Sequence, residues 1–330
     1  MNDISNNLHF SVKLTSELDD LEIDQLNSLY NQTFQQFIDR SRNSEEFKTK
    51  FISNVLKYSF HGLIKQNEKI IGTYQIIPNK FKYFDKELLF GLSVDTAVDK
   101  KHRGELSNLE TIFNLVHERL IKEKIYFVYG APNRRFYKVN KKLFGWKDIG
   151  LLKYFVIPIR INKKNFISPI INFIFSTINF LTLKASIRRI FKDNNKKIFQ
   201  LRFGKEEENF KNFNKVNIIN NDNFRFAYKI KSENKFYTRV KVLYIFDFLP
   251  RTKETFLNIV SFCKKSFSDI EFIMYLNNNS EKKINLYQIP NMFLKDEFIA
   301  TGKILEKGHF NEDIFKDKNW NINLSNFDVK

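Results

Sequence analysis

The apolar and polar positions of the first 150 residues repeat with the periods of strands and helices in turn. Leu8–Leu14 alternates with a period of two, which predicts a strand, and Leu18–Phe34 has the three-to-four spacing of an amphipathic helix. A second helix is predicted at Ser44–Leu56. Further apolar segments predict three strands, a helix and another strand, at Gly62–Gln66, Lys69–Pro78, Leu88–Val98, Leu109–Leu120 and Ile125–Tyr129. This order predicts an α/β fold built on a mixed sheet.

Part of this pattern recurs near the C-terminal end of the chain. Val242–Phe248 is similar to Leu92–Val98, since each is an apolar strand with an aspartate near its end, and a helix and a strand follow both. Thirty residues separate Asp95 from Ile125, but only 23 separate Asp247 from Ile270. The second copy therefore lacks a loop between strand and helix. If that loop holds a cofactor, only the first half can be active.

The chain divides on this basis into residues 1–160, a connector at 161–195 and a degenerate second half at 196–330. Within the connector, 12 of the 20 residues of Phe166–Ala185 are apolar, but polar residues interrupt them too often for a comfortable membrane span. The segment predicts a buried or amphipathic helix. The alternative is a helix lying on an anionic bilayer, with Lys184, Arg188, Arg189 and Lys192 beside it.

Composition indicates a folded protein with a strong positive charge. The 330 residues are 42% hydrophobic and 28% charged, as a globular chain requires, and the single Cys263 excludes a disulfide and a thiolate metal cage. The formal net charge of +18 suits a nucleic acid, an anionic lipid or a phosphate-bearing small molecule. The plainer interpretation is a lysine-rich solvated surface.

Several kinds of site lack support in the sequence. The five histidines have no metal-ligand spacing, so we expect no metal. The patterns typical of nucleotide hydrolysis, serine hydrolysis and dinucleotide-dependent dehydrogenation do not occur. The first residues show no basic segment followed by an apolar one, so we expect no secretory signal and a cytoplasmic location.

The junction after the strand Leu88–Val98 has the composition of a phosphate site. A basic residue and a glycine open a helix here, and the unpaired amides and dipole of a helix N-terminus attract anions. Gly104 lets the backbone come close to a ligand, and Lys101 and Arg103 can bond phosphate oxygens. A basic first turn without a ligand is the alternative.

These residues resemble the acetyl-coenzyme A motif of the GCN5-related N-acetyltransferases (GNAT). Val94–Val98 corresponds to the motif's strand, Lys101 to its first loop position and Gly104 to its first glycine, whereas Leu106 replaces the second small residue. Tyr129–Asn133 and Lys142–Trp146 are similar to the family's last shared motif, in a form found in a subgroup linked to bacterial surface-polysaccharide synthesis. The resemblance covers residues 8–158 well and 242–330 loosely. It implies a GNAT fold, with a degenerate GNAT-like second half.

The resemblance also implies a set of cofactor-binding residues. The backbone of Thr96, Ala97 and Val98 would bond the thioester carbonyl and the pantetheine amides of acetyl-coenzyme A. The turn and helix start would hold its pyrophosphate, through Lys101, Arg103, Gly104, Glu105, Leu106 and Ser107. Asn133 would bind the cofactor or cap the next helix.

Two residues are candidates for proton transfer. Asp95 would remove a proton from the amine, position another group, or serve the strand end structurally. The family's acid is a tyrosine, but Lys141 stands at its place, so Tyr137 one turn earlier is the substitute. Core packing is the other interpretation of Tyr137.

Together these observations predict a GNAT-type N-acetyltransferase that uses acetyl-coenzyme A and an amine acceptor. The candidate acceptor is an amino group of a nucleotide-linked sugar. One alternative is an aminoacyl transferase of the Fem type, which also pairs two GNAT-like halves and uses charged transfer RNA. Another is an inactive basic module that binds nucleic acid or membrane, for which Leu106 and Lys141 are the best evidence.

Overall fold

The computed structural model describes most of the chain, and twelve strands and seven helices lie in the described part. That part comprises residues 8–35, 41–162, 167–191, 196–204, 206–235, 238–278, 287–288 and 298–327. The strands are β1 Leu8–Leu14, β2 Phe60–Gln66, β3 Lys69–Tyr83, β4 Lys86–Val98, β5 Phe127–Gly130, β6 Lys147–Pro158, β7 Ile198–Gln200, β8 Asn217–Asn220, β9 Arg225–Lys235, β10 Thr238–Leu249, β11 Phe272–Asn278 and β12 Phe298–Ile304. The helices are α1 Asp20–Phe34, α2 Ser44–Ile52, α3 Leu106–Lys122, α4 Arg134–Leu143, α5 Ser168–Ile190, α6 Glu207–Asn214 and α7 Lys253–Ser266.

These strands join in one mixed sheet with a repeated internal pattern. Its order is β1-β2-β3-β4-β5-β12-β6-β11-β10-β9-β8, with β7 paired to β3 beside this path. In the first half β4 and β5 pair in parallel with α3 between them in sequence, and in the second half β10 and β11 do the same with α7 between them. The sheet therefore contains the same strand–helix–strand unit twice.

The two halves exchange their last strands. β6 follows β5 in the chain, yet it pairs antiparallel with β11 of the second half. β12 follows β11, yet it pairs antiparallel with β5 of the first half and with β6. The sheet is continuous because each half completes the other, and strands cross the predicted boundaries between residues 1–160 and 196–330.

Helices cover the sheet of the first half on both faces. On one face α3 buries Ile112, Phe113 and Val116 among the side chains of β2 and β3. A Cβ at Gly62 would come within 2.7 Å of Ile112 and Val116, so this glycine allows α3 to lie close to β2. On the other face α1 and α2 pack into the larger cluster that contains Trp320. The close packing of α3 fixes where its N-terminus meets the end of β4.

The structure confirms the predicted elements within a few residues. The predicted helix Ser44–Leu56 ends earlier, at Ile52, where the backbone turns through Ser53 and Asn54. The recurrence of strand, helix and strand near residues 242–276 is also present, as β10, α7 and β11. Periodicity did not predict the exchange of β6 and β12.

Candidate functional site

The two parallel strands of the first half separate at their carboxyl ends. Their register stops at Leu92 opposite Tyr129, whereas β4 continues to Val98 and β5 ends at Gly130. A Cβ at Gly130 would lie 3.3 Å from the carbonyl oxygen of Ser93, so the strands are in tight contact just before they separate. Beyond this point one edge of β4 faces an opening.

A β-bulge lies in this part of β4. Val94 pairs with Gln75 of β3 and Ala97 pairs with Thr73, so Asp95 and Thr96 together oppose one residue of the partner strand. Asp95 has a φ of 45°, which is in the left-handed region that few residues other than glycine adopt. The bulge turns the backbone of Thr96–Val98 relative to the strand before it.

The turn from β4 to α3 leaves the start of the helix open. Asp99 accepts a hydrogen bond from the Lys101 amide at 2.9 Å and starts a short 3-10 helix, Lys100–His102. Gly104 then takes a φ of +119°, and a Cβ there would meet nothing within 4 Å. The N-cap residue of α3, Glu105, makes no side-chain capping bond. The Leu106 and Asn108 amides donate to the carbonyls of Gly104 and Glu105, which leaves the Ser107 amide at the helix start for an anion.

The opening, the turn and the start of α4 surround one cleft of about 1090 Å³. Most of the residues predicted for the cofactor line it: Thr96, Ala97, Val98, Arg103, Gly104, Glu105, Leu106 and Asn133. Lys101 and Ser107 are exposed nearby but do not line it. The side chain of Leu106 is 40% exposed, so it does not fill the space beside Gly104.

The turn side of the cleft is basic at its rim and has unsatisfied polar atoms in its wall. Arg103, Arg134 and Arg135 line it and are exposed. Asn140 Oδ1 and Trp146 Nε1 also belong to lining residues, and both are buried without a hydrogen-bond partner among the described residues. A ligand with phosphates would find compensating charge at this rim, whereas the two unsatisfied atoms are buried in the wall and are not exposed to the cleft.

Aromatic side chains line the same cleft from other elements. Tyr30 and Phe34 come from α1, Phe298 begins β12, and Phe327 follows the last short helical turn described. Two of these four belong to the C-terminal part of the chain. The cleft therefore depends on both halves.

Asp95 lines the cleft, but its carboxylate is already paired with two cations. Arg42 Nη1 donates to Asp95 Oδ2 at 2.5 Å and Lys50 Nζ at 2.8 Å, and all three side chains are buried. Burial by itself would raise the pKa of Asp95, but the charges and hydrogen bonds of Lys50 and Arg42 outweigh it and hold that pKa well below its usual range. This arrangement suits an ionised, positioning carboxylate rather than one that takes up a proton.

The second half repeats this cluster at the matching bulge. The register of β10 with β9 shifts between Ile245 and Asp247, and Asp247 accepts from Arg202 at 2.7 Å and from Arg251 at 2.9 Å. Burial would raise the pKa of Asp247, and the two arginines lower it below its usual range. Both aspartates singled out in the repeat are thus buried anions at strand bulges.

In the second half the matching opening is filled by the chain itself. The register of β10 with β11 ends at Ile245 opposite Tyr275, and the segment Leu324–Asn326 contacts both strands beyond that point. Asn323 donates to Asp247 at 3.1 Å, which anchors the segment. Thr252 caps α7 by accepting from the Thr255 amide. The start of this helix is already satisfied, as the short loop suggested.

Tyr137 does not line the cleft. Its hydroxyl donates to Asp148 at 3.0 Å and accepts from Lys141 at 3.1 Å. Asn133 lines the cleft and also caps α4, since its side chain accepts from the Phe136 amide at 3.0 Å. The structure thus brings Asp95 and the cofactor residues together, but not Asp95 and Tyr137.

Sequence reasoning missed two features of the site. It did not predict the cations that pair with Asp95, and it did not predict the aromatic residues that line the cleft. One signal was available: Lys50 lies three residues after Phe47 and one before Phe51, on the buried face of α2. A lysine on an apolar helix face needs a buried anion. In the part of the chain that the structure describes, no three metal-ligating side chains come together.

Comparison with solved structures identifies the architecture. A protein from Enterococcus faecalis V583 described as a probable N-acyltransferase aligns with a TM-score of 0.57 at 13% identity, over 90% of this chain and 73% of that one. A GCN5-related N-acetyltransferase from Anabaena variabilis gives 0.57 at 12% identity, with the same coverage. The chain has the GNAT fold. One from Kribbella flavida gives 0.55 at 8% identity, over 89% and 71%.

The GNAT fold covers both halves of the chain, which confirms the predicted tandem arrangement. No family model matches the sequence, and no curated protein does. At these identities the likeness concerns the fold alone. The chemistry has to be argued from the cleft.

Proposed function

We propose that this protein is an N-acetyltransferase that moves the acetyl group of acetyl-coenzyme A to an amine. One observation carries the proposal: β4 separates from β5 and opens onto a cleft that also contains the Gly104 turn and the uncapped start of α3. The second half supports it by contrast, because there the buried segment Leu324–Asn326 contacts both β10 and β11.

The proposed binding mode follows the chemistry of the lining. The pyrophosphate would accept hydrogen bonds from the amides around Gly104 and form an ion pair with Arg103. Arg134 and Arg135 could pair with further phosphates of the ligand. The pantetheine arm would lie along Thr96–Val98, whose backbone faces the opening.

Acetyl transfer would then proceed by direct attack. The amine nitrogen adds to the thioester carbonyl, the carbon–sulfur bond breaks, and the departing thiolate takes a proton. Because Asp95 stays ionised between Arg42 and Lys50, we assign it the positioning role, with water carrying the proton from the amine. The hydroxyl of Tyr137 is engaged by Asp148 and Lys141, so the thiolate would be protonated from solvent.

Two observations suggest the chemical class of the acceptor. The sequence is similar to a subgroup linked to surface-polysaccharide synthesis, and the far wall carries Tyr30, Phe34, Phe298 and Phe327. Aromatic faces suit the apolar face of a sugar or the ring of a base. We therefore propose an amino group of a nucleotide-linked sugar as the acceptor, in the cytoplasm.

The first experiment is calorimetric titration of the purified protein with acetyl-coenzyme A. We expect saturable binding, and we expect Gly104→Ala to weaken it about tenfold or more, because an L residue at φ +119° is strained and moves the amides that hold the phosphate. Gly308→Ala is the matched control. Gly308 has a φ of +94° and equally open space but does not line the cleft, so its affinity should equal that of the wild type.

Two results would overturn the proposal. One is an absence of acetyl-coenzyme A binding by the wild-type protein; if transfer RNA binds instead, with a steep salt dependence, the Fem-type alternative is favoured. The other is equal affinity of wild type and Gly104→Ala, which would remove the turn from the site.

A further inference from the structure

Helix α5 turns several polar side chains inward, beside the apolar Ile178, Leu183 and Ile187 that pack on the core. Asn172 Nδ2 donates to the Ile161 carbonyl at 3.2 Å, and Asn179 Nδ2 donates to the Pro158 carbonyl at 2.7 Å. Thr182 shares a hydrogen bond of 2.9 Å with the Tyr287 hydroxyl. A surface helix ordinarily turns its polar side outward.

Other large apolar side chains of α5 point outward. Phe180 is 86% exposed, Phe173 73% and Leu181 69%, and Ile170 and Ile174 are exposed beside them. Separations of three, four and seven residues place these positions on one side of the helix, with the exposed Thr177 between the two groups. A group of large apolar side chains exposed on one side of a surface helix is typical of an interaction site.

One side of α5 is hydrogen-bonded to the rest of the protein. The helix therefore does not cross a bilayer as a separate transmembrane segment. Its 23 residues reach about 34 Å and one span within it, Ser168–Arg188, is apolar enough to cross by composition. The hydrogen bonds of Asn172, Asn179 and Thr182 keep its inner side on the folded body. Only the outer side is available to lipid.

Positive charge is concentrated in the sequence that contains α5. Residues 160–197 include nine lysines and arginines against one aspartate, so this segment carries +8 of the net +18. Lys184 and Arg188 are exposed and continue the outer face of α5 toward its C-terminal end, and α5 itself has no acidic residue. The apolar side chains suit the acyl chains of an anionic lipid surface, and the cations at one end suit its negatively charged headgroups.

We propose that α5 docks the protein on an anionic membrane surface, lying in the plane of the bilayer with its Phe173, Phe180 and Leu181 side chains among the acyl chains. Charge argues against a second copy as the occupant. A two-fold interface would bring the same basic segment of both copies together without acids to compensate. This inference is independent of the proposed acetyl transfer, since α5 does not line the cleft.

The test measures co-sedimentation of the full chain with vesicles of phosphatidylcholine alone and with about 30 mol% phosphatidylserine. We expect binding to the anionic vesicles, and we expect Phe180→Glu to weaken it at least tenfold. Leu21→Glu is the matched control. Leu21 is 66% exposed on α1, so this variant makes the same change of charge on an apolar surface residue and should bind as the wild type does.

Two further variants separate insertion from attraction. Phe173→Trp should shift its emission to the blue on anionic vesicles, because Trp146 and Trp320 are buried and the new indole reports its own surroundings. Replacing Lys184 and Arg188 by glutamine should weaken binding about tenfold and reduce its dependence on salt.

The proposal fails if the wild type does not bind anionic vesicles, if Phe180→Glu binds as well as Leu21→Glu, or if vesicles leave the emission of the Phe173→Trp variant unchanged. Light scattering adds one more outcome against it. A wild-type dimer that Phe180→Glu separates, without vesicle binding, would show that a second copy covers the outer side of α5.

Discussion

A buried aspartate lies at the bulge of each half, and both aspartates are paired with cations. Asp95 and Asp247 each accept from two cations, and the charges and hydrogen bonds of those cations keep each carboxylate ionised although it is buried. The same arrangement occurs in the half with the open cleft and in the half whose opening is filled. This parallel supports the positioning role, since each aspartate holds two cations in place at its bulge.

The sequence indicated where these aspartates lie but not what they contact. Each was visible because it ends an apolar strand, which is a local pattern. The partners of Asp95 come from α2 and from the segment before it, 45 and 53 residues away. Those contacts arise from packing, which the spacing of residues along the chain does not encode.

Two histidines in the core predict a stability that falls in mild acid. His61 bonds Thr15 and His117 bonds Tyr74, and burial lowers the pKa of each to about 3. In the unfolded chain both would titrate near 6.5, so that state binds the extra protons. Stability should therefore be full above about pH 6.5 and decrease below it by about 2.7 kcal/mol per pH unit toward pH 4.

Urea unfolding at pH 7, 6 and 5 checks this, with His117→Gln as the comparison. That variant should lose about half of the slope between pH 6 and 5, whatever its stability at pH 7, because one of the two titrating groups is gone. An unchanged slope would mean that His117 takes up a proton in the folded protein.

At the level of elements, the loop between strand and helix distinguishes the two halves. In the first half, seven residues separate β4 from α3 and contain the Gly104 turn. In the second half, three residues separate β10 from α7, and Thr252 among them caps the helix. The sequence placed the whole seven-residue difference in this loop, but the loop is four residues shorter and α7 is three residues shorter than α3, with 14 residues against 17.

The exchanged strand β12 is packed too closely to accept a small side chain at Gly302. An added Cβ would overlap the ring of the buried Phe127 on β5 and lie 3.1 Å from Ile149 Cδ1 on β6. Gly302→Ala should reduce the free energy of unfolding by about 1–3 kcal/mol. Thermal unfolding measured by circular dichroism should show a lower midpoint in one transition.

A double-mutant cycle identifies the cause. Phe127→Leu alone leaves a cavity and destabilises the protein. Because the smaller side chain makes room for the methyl group of Gly302→Ala, the double variant should lose less free energy of unfolding than the sum of the two single losses. Strict additivity would argue against contact between the two positions.

For the whole molecule, the continuous sheet makes the two halves one structural unit. The sequence predicted two related halves, because similar strand, helix and strand patterns recur. It did not predict that β6 and β12 change places, since the choice of partner depends on strands far apart in the sequence.

The asymmetry of the two openings predicts one binding site per chain. The opening of the first half is accessible, while Leu324–Asn326 contacts the strands of the other. Native mass spectrometry with excess acetyl-coenzyme A should show one ligand bound per chain and no second species at higher concentration. A second bound ligand would mean that the C-terminal segment is displaced from the second half.

The strand exchange also sets the order in which the cleft can be assembled during synthesis. β5 lies at Phe127–Gly130, but its neighbour β12 begins at Phe298, and Phe327 comes later still. While the ribosome is translating the intervening residues, one edge of β5 and the aromatic wall of the cleft lack their final neighbours. The nascent protein therefore acquires the complete cleft only after Phe327 has left the exit tunnel.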